Sequence, residues 1–234
     1  MSFANNIMSA DLGSDSGGLS GPFLDYKSSG SAKYGIKPMG WSLTEKDENN
    51  EKKVTDRTEA LTQGIVLDID TLKFGWEKET QNGAPERSWA PDFKLANFPR
   101  PDNSTRAHGK TGKMVPAWSE VFAIRVGLPT GTVATWSQAT FGTWQAMKQI
   151  VELVQAEYNA NTPKLPVVAV TGHEADYGSN IPIFALTRWV DRPGFMTATA
   201  APVAMETQPA PAPAPTPAPA APIDPAVAAA ASAF

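Results

Sequence analysis

The stretch Gln63-Gly64-Ile65-Val66-Leu67-Asp68-Ile69-Asp70-Thr71-Leu72-Lys73-Phe74-Gly75-Trp76 carries the pattern on which the fold turns. Ile65, Leu67 and Ile69 recur at every second position, and at Asp70-Thr71 the run gives way to a second apolar set, Leu72, Phe74 and Trp76. Side chains of an extended chain alternate between two faces, so this pattern predicts one long strand broken by a bulge or sharp bend. Beyond a long polar loop, Trp118, Phe122, Ile124 and Val126 fall on one face of a second strand, and Val121, Ala123 and Arg125 on the other. Pro129-Thr130-Gly131 then punctuates the chain, and Thr132 to Trp136 supply a brief third strand.

A helix follows, with Ser137 as its expected N-cap and apolar positions Trp144, Met147, Val151, Val154 and Tyr158 at spacings of three and four. Asn161-Thr162-Pro163 stops it. Leu165 to Thr171 and Ile181 to Val190 read as two closing strands, joined by a polar turn over residues 172–180. Strand, strand, short strand, helix, strand, strand is the order of the OB-fold, a small Greek-key barrel with its helix between the third and fourth strands. The expected fold class is therefore mostly β, an OB-fold-like β-barrel with one covering α-helix.

The ends differ in composition. Residues 201–234 hold 14 Ala and 9 Pro, with an alternating Pro-Ala run at the centre. Such a segment lacks the bulk to offset chain entropy and favours extended polyproline II, so residues 197–234 are expected to form a disordered tether. Phe234 is its only aromatic and a candidate docking tip. Residues 1–20 are expected to be a loose leader. Within the Gly/Ser-rich stretch that follows, Pro22-Phe23-Leu24-Asp25-Tyr26 and Tyr34-Gly35-Ile36 predict a short edge strand or packed arm. Residues 42–60, with six acids and four bases, read as a solvated loop or short surface helix. The domain itself is expected over 21–196. The N-terminus lacks a cationic and apolar leader, and no run reaches the ~18 apolar residues of a membrane span, so a soluble, intracellular protein is expected.

Much familiar chemistry is excluded by residue supply. The chain has no Cys and two His, which removes disulfides, thiol nucleophiles and cysteine-based metal sites. Gly109-Lys110-Thr111 resembles the end of a phosphate-binding loop, but Ser104 stands where the first glycine is required. His173-Glu174 begins like a zinc-protease motif, yet position 177 is Tyr and the flanking glycines predict a turn. Asp68 and Asp70 share a strand face and can pair as acid and base or hold Mg²⁺, although a solvated strand face is the commoner arrangement. No catalytic constellation, cofactor motif or metal-ligand set emerges.

What remains is a local charge pattern. The formal net charge is −4, but between Arg87 and Arg125 seven bases (Arg87, Lys94, Arg100, Arg106, Lys110, Lys113, Arg125) face three acids, Asp92, Asp102 and Glu120. Trp89, Phe93, Phe98 and Trp118 thread the same stretch and Trp76 precedes it. Cations along an extended chain match the phosphates of a flexible strand, and aromatic planes accept unpaired bases at roughly 1 to 3 kcal/mol each. The bland counterpart is a solvated basic loop with buried structural tryptophans; Trp136, Trp144 and Trp189 are expected in the core.

Five segments then carry a resemblance: Pro22 to Tyr26, Leu67 to Trp76, Ala90-Pro91-Asp92, Lys164-Leu165-Pro166-Val167-Val168 and Trp189-Val190-Asp191-Arg192-Pro193. In this order and spacing the chain, over residues 22–195, resembles phage and prophage single-stranded DNA-binding proteins of the OB-fold type. The resemblance implies a non-catalytic accessory of DNA replication or recombination that coats exposed single strands in the cytoplasm of a bacterial host. Such proteins commonly recruit replication proteins through an acidic tail ending in an aromatic. Phe234 matches the aromatic, whereas the only tail acids, Glu206 and Asp224, are not at the tip.

The expected interface has Trp76, Trp89 and Trp118 stacking bases, with Lys73, Arg100, Lys110, Lys113 and Arg125 neutralising phosphates. Lys73 and Arg125 are expected opposite the apolar faces of their strands. Two other readings stand beside this one: a virion or assembly protein with a β-sheet module and Pro/Ala spacer, and a Mg²⁺-dependent nuclease using Asp68 and Asp70.

Overall fold

A computed structural model of the chain describes residues 21–80, 85–90, 98–108, 111–176 and 178–197. The expected leader, Lys110, Phe234 and the expected tail after Thr197 lie outside these residues, as do Asp92, Phe93 and Lys94. In chain order the strands are β1 (Phe23–Lys27), β2 (Gly40–Lys46) and β3 (Lys52–Asp56); a short helix α1 (Thr58–Gln63) leads into β4 (Ile65–Lys78). There follow β5 (Glu86–Trp89), β6 (Thr105–Ala107), β7 (Met114–Pro116), β8 (Trp118–Gly127) and β9 (Val133–Gln138). Helix α2 (Phe141–Asn161), β10 (Leu165–Asp176), β11 (Ser179–Val190) and the single turn α3 (Gly194–Thr197) complete the fold. It is mostly β, and no described helix is long and apolar enough to cross a membrane.

One sheet holds the domain together, in the order β11-β10-β4-β8-β9-β1-β2-β3, with β5 paired to the far end of β4. It curls into a half-barrel. The expected break in β4 is present. From Asp68↔Arg125 to Lys73↔Ala123, β4 advances five residues while β8 advances two. Thr71 holds the excursion in place: its hydroxyl donates to the Asp68 carbonyl (2.7 Å) and accepts the Arg125 N–H (2.9 Å), replacing a missing ladder partner.

Three expectations are corrected. Residues 42–60 are a hairpin, β2 and β3, followed by α1, because Trp41 and Leu43 are buried and Asp47 caps a tight turn. Its Oδ1 accepts the N–H of Asn49 and of Glu51, both at 2.9 Å, and Asn50 takes the left-handed region at φ 63°. The charged side chains of this hairpin point to solvent, which masked its short apolar alternation. Ser137 is in β9 opposite Ala123, and Thr140 holds the N-cap position of α2 instead, without a side-chain hydrogen bond to a helix N–H, because β9 continues to Gln138. The polar stretch 172–180 is mostly a two-stranded arm, with His173↔Pro182 and Asp176↔Ser179 still in register.

The core lies inside the curl and is rich in aromatic rings. Trp136 is fully buried, with Phe122 at 4.9 Å and Trp41 at 5.1 Å in edge-to-face contact and Phe184 tilted at 5.6 Å. Such pairs add about 0.5–1.5 kcal/mol each beyond simple burial. Helix α2 closes one end through Trp144, which meets Phe74 edge-on at 5.1 Å, and through Met147, Ile150, Val154 and Tyr158. Gln138 acts as a short extension of the sheet. Its amide accepts the Tyr26 N–H and donates to the Tyr26 carbonyl, both at 3.0 Å, while also accepting the Trp136 indole N–H.

His173, from the outer part of β10, stacks on Tyr26 of β1 with ring centroids 5.9 Å apart, so an aromatic contact joins strands that are not neighbours in the sheet. His173 is exposed on its outer side, and the part of the ring that is covered holds its pKa below the ordinary 6.5, partly offset by a hydrogen bond to the Met39 carbonyl. The unfolded chain therefore binds the proton more readily, and the stability due to neutral His173 is present above pH 6.5 and declines as the pH falls toward the folded value. Urea unfolding is expected to show a shallow loss between pH 7 and 5.5. His173→Phe should flatten it; an unchanged slope would contradict the assignment. Gly75 makes a second test. A Cβ there would be driven into the Ser88 carbonyl oxygen of β5, whereas one at Gly172 meets nothing within 4 Å. Gly75→Ala should cost about 1–3 kcal/mol by overpacking, against less than about 0.5 kcal/mol for Gly172→Ala.

Candidate nucleic-acid interface

Antiparallel pairing of Trp76 with Glu120 and Lys78 with Trp118 places Trp76, Lys78 and Trp118 on the face that carries Phe74 and Phe122. Trp76 is half-buried. Its indole N–H donates to the Phe98 carbonyl (3.1 Å), and the Arg100 guanidinium stands over its ring at 5.0 Å. Beside it the Lys78 ammonium is 5.5 Å from the Trp118 ring centroid. Two cation–aromatic pairs thus lie side by side at the far end of the long strand.

Acids are interleaved with these cations. Lys78 faces Asp102 at 3.6 Å, Arg87 pairs with Glu77 at 2.7 Å, and Arg106 approaches Glu79 at 3.8 Å. The small hairpin of β6 and β7 stands next to this end, held by the Ala117 N–H donating to the Ser104 carbonyl (2.8 Å). It presents Lys113 and the 63 % exposed Met114 to solvent. Lys113 has no carboxylate partner among the described residues, and neither has Lys73, which stands on the other face of β4 opposite Ala123.

Two expected contacts are revised by burial and pairing. Trp118 is only 3 % exposed; a ring so covered has no face to offer a base and acts as the wall beneath Lys78. Arg125 is on the expected face, but its guanidinium is 3.9 Å from Asp68 and donates to the Met196 carbonyl at 3.1 Å. Trp89 is half-buried on β5 opposite Gly75. The structure therefore brings Trp76 and Arg100 together, leaves Lys73 and Lys113 in solvent contact, and ties Arg125 elsewhere.

The partner of Asp68 and Asp70 was not legible as such in the sequence. Arg192, just after β11, donates to Asp68 at 2.6 Å and to Asp70 at 2.8 Å. Asp68 is 1 % exposed, so the ion pair compensates a buried charge. The Asp70 carboxyl is raised above its ordinary range, first by burial and then by the Asp68 charge, with Arg192 opposing both. Two carboxylates held by two guanidinium groups form a clasp between the break in β4 and the end of the domain, where Met196 is buried. Trp189-Val190-Asp191-Arg192-Pro193 was the only signal in the sequence that singled out this region.

Asp68→Asn should cost on the order of 2 kcal/mol in urea unfolding, less than the 3–5 kcal/mol of a fully buried pair because both guanidinium side chains are about a third exposed. Asp70, 44 % exposed, should tolerate Asn at a cost below about 1 kcal/mol. Equal costs at the two positions would show that Asp68 is not the centre of the clasp.

Comparison of the chain with family models, with curated proteins and with solved structures returns no match.

Proposed function

We propose that this chain is a non-catalytic, sequence-tolerant single-stranded DNA-binding protein that acts in phage DNA replication or recombination in the bacterial cytoplasm, on an OB-type barrel opened along one side. The strands flanking α2 run β11-β10-β4-β8-β9, with α2 between β9 and β10 in the chain. That is the order of an OB barrel before its last pairing. In this chain the remaining edge of β9 is taken by β1.

The observation that carries the reading is Trp76. Its ring is half-buried, its N–H is anchored on Phe98, and the Arg100 guanidinium that lies over it would swing onto a phosphate to free that face for a base. Lys113 and Lys110 add cations; Lys73 and Trp89, at positions of the opposite face of β4 and β5, add a cation and a ring for a strand that passes round the sheet end. Stacking and phosphate contacts read no base edges, so preference among sequences is weak. Asp68 and Asp70 support the non-catalytic reading, since both carboxylates are engaged by arginine. Recruitment of replication proteins through Phe234 belongs to the same proposal.

Titration with an oligothymidine should quench tryptophan fluorescence, with affinity falling as salt rises. Trp76→Ala should lose about 1–3 kcal/mol of binding. Joint replacement of Lys73 and Lys113 by Ala should reduce the salt slope by roughly 0.7 per cation removed. Absence of quenching at low salt, or equal affinity for duplex, would reject the proposal.

A further inference from the structure

Asp102 is an exposed loop residue whose carboxylate is seated among donors. The Ser104 N–H donates to its Oδ1 at 2.7 Å, and the Lys78 ammonium is 3.6 Å from its Oδ2. The Ser104 hydroxyl and the Trp118 indole N–H face the same carboxylate but complete no regular hydrogen bond, and both atoms are buried. Trp118 is 3 % exposed, so its N–H is a buried donor left without a full partner. The Lys78 ammonium, the Ser104 N–H and hydroxyl and the Trp118 N–H thus converge on one carboxylate with about four lone-pair positions, a donor set arranged around a single oxyanion. A phosphodiester carries two anionic oxygens, as a carboxylate does, and can take the carboxylate's place among these donors.

The geometry points to a phosphate subsite formed by Lys78, Ser104 and Trp118, in which Asp102 is a built-in competitor that an incoming phosphate must displace. This deepens the proposed function and rests on the nucleic-acid reading of the same face, because Lys78 and Trp118 adjoin the Trp76–Arg100 pair along β4 and β8. The ligand chemistry is a phosphate oxyanion, and the subsite assigns it to the phosphodiester next to a base stacked on Trp76. The donors also hold the Asp102 carboxyl well below the ordinary carboxylate range, chiefly through Ser104, so the competitor is ionised at every pH at which the protein would bind DNA.

The test compares Asp102→Asn with Glu48→Gln, which removes one exposed charge from the distant turn between β2 and β3. Both are titrated with oligothymidine and, separately, with inorganic pyrophosphate, with tryptophan fluorescence as the readout. Asp102→Asn is expected to tighten oligothymidine binding about fivefold, the worth of one exposed charged contact, while Glu48→Gln changes it far less. Adding Lys78→Gln should remove the gain. Asp102→Ser keeps an acceptor for the Ser104 N–H and repeats the test if Asp102→Asn loses the fold. Tightening confined to oligothymidine supports the phosphodiester assignment. Tightening of pyrophosphate with no oligothymidine binding by either form keeps the subsite and rejects the single-stranded DNA reading. No gain over Glu48→Gln for either probe overturns the subsite whether or not the unaltered chain binds DNA.

Discussion

Between Asp68 and Lys73 the long strand β4 leaves the ladder and rejoins it, and much of the domain depends on how that excursion is satisfied. Before it, β4 pairs with both β10 and β8; after it, β4 pairs with β5 and β8. One strand therefore belongs to two parts of a sheet that curls between them. The Thr71 hydroxyl supplies the missing acceptor for Arg125, and Arg192 compensates the charge of Asp68 that the bend buries. Without those two contacts, a backbone donor and a carboxylate would be left unpaired at the centre of the sheet, each at a cost comparable to a large share of a domain's net stability.

The same region explains which parts of the fold were legible in the sequence. Periodicity announces elements that bury one face, so β4, β8, β9, α2 and the inner halves of β10 and β11 stand out, as does the break itself. Trp41 and Leu43 were missed because only two alternate positions of β2 are strongly apolar and the rest of the hairpin is charged. The outer arm of β10 and β11 was missed for a related reason: most of its β10 side chains are exposed, and its backbone pairing leaves no apolar trace. The expected N-cap, Ser137, lies three residues short of the observed one because the ladder of β9 with β8 runs on to Gln138.

Site legibility had a different limit. The sequence shows that residues 87–125 hold a surplus of cations, but it does not show which ones already have partners. Arg125 looked available by strand alternation, yet its partners Asp68 and Met196 are 57 and 71 residues away along the chain, a separation that pattern reading does not span. Trp118 shared its apolar face with Phe122 and Ile124, and that periodicity was already a sign of burial. Trp76 ends its apolar set in the same way and stays half-exposed, whereas Trp118, opposite Lys78 and nearer still to the end of the ladder, is covered, so register alone does not tell the accessible ring from the buried one.

If the chain takes up a polyanion as proposed, its net charge of −4 requires cations presented locally, and at the Trp76 end Lys78, Arg87 and Arg106 are presented beside acids. Arg87 with Glu77, Arg106 with Glu79 and Lys78 with Asp102 pair at the end of β4 that carries Trp76. Arg87 and Glu77 are largely covered, whereas the more exposed pairs, Arg106–Glu79 and Lys78–Asp102, add little to stability, at most about 1 kcal/mol each. Under the proposed function a phosphate would exchange with an exposed carboxylate of this kind at small net cost. The exchange would swap one anion for another, leaving the net attraction to cations without a carboxylate partner, Lys73 and Lys113 among them, and to base stacking on Trp76. Binding built in this way would depend on shape and on single-strandedness as well as on charge, because a duplex offers the same phosphates but no unpaired base for the ring.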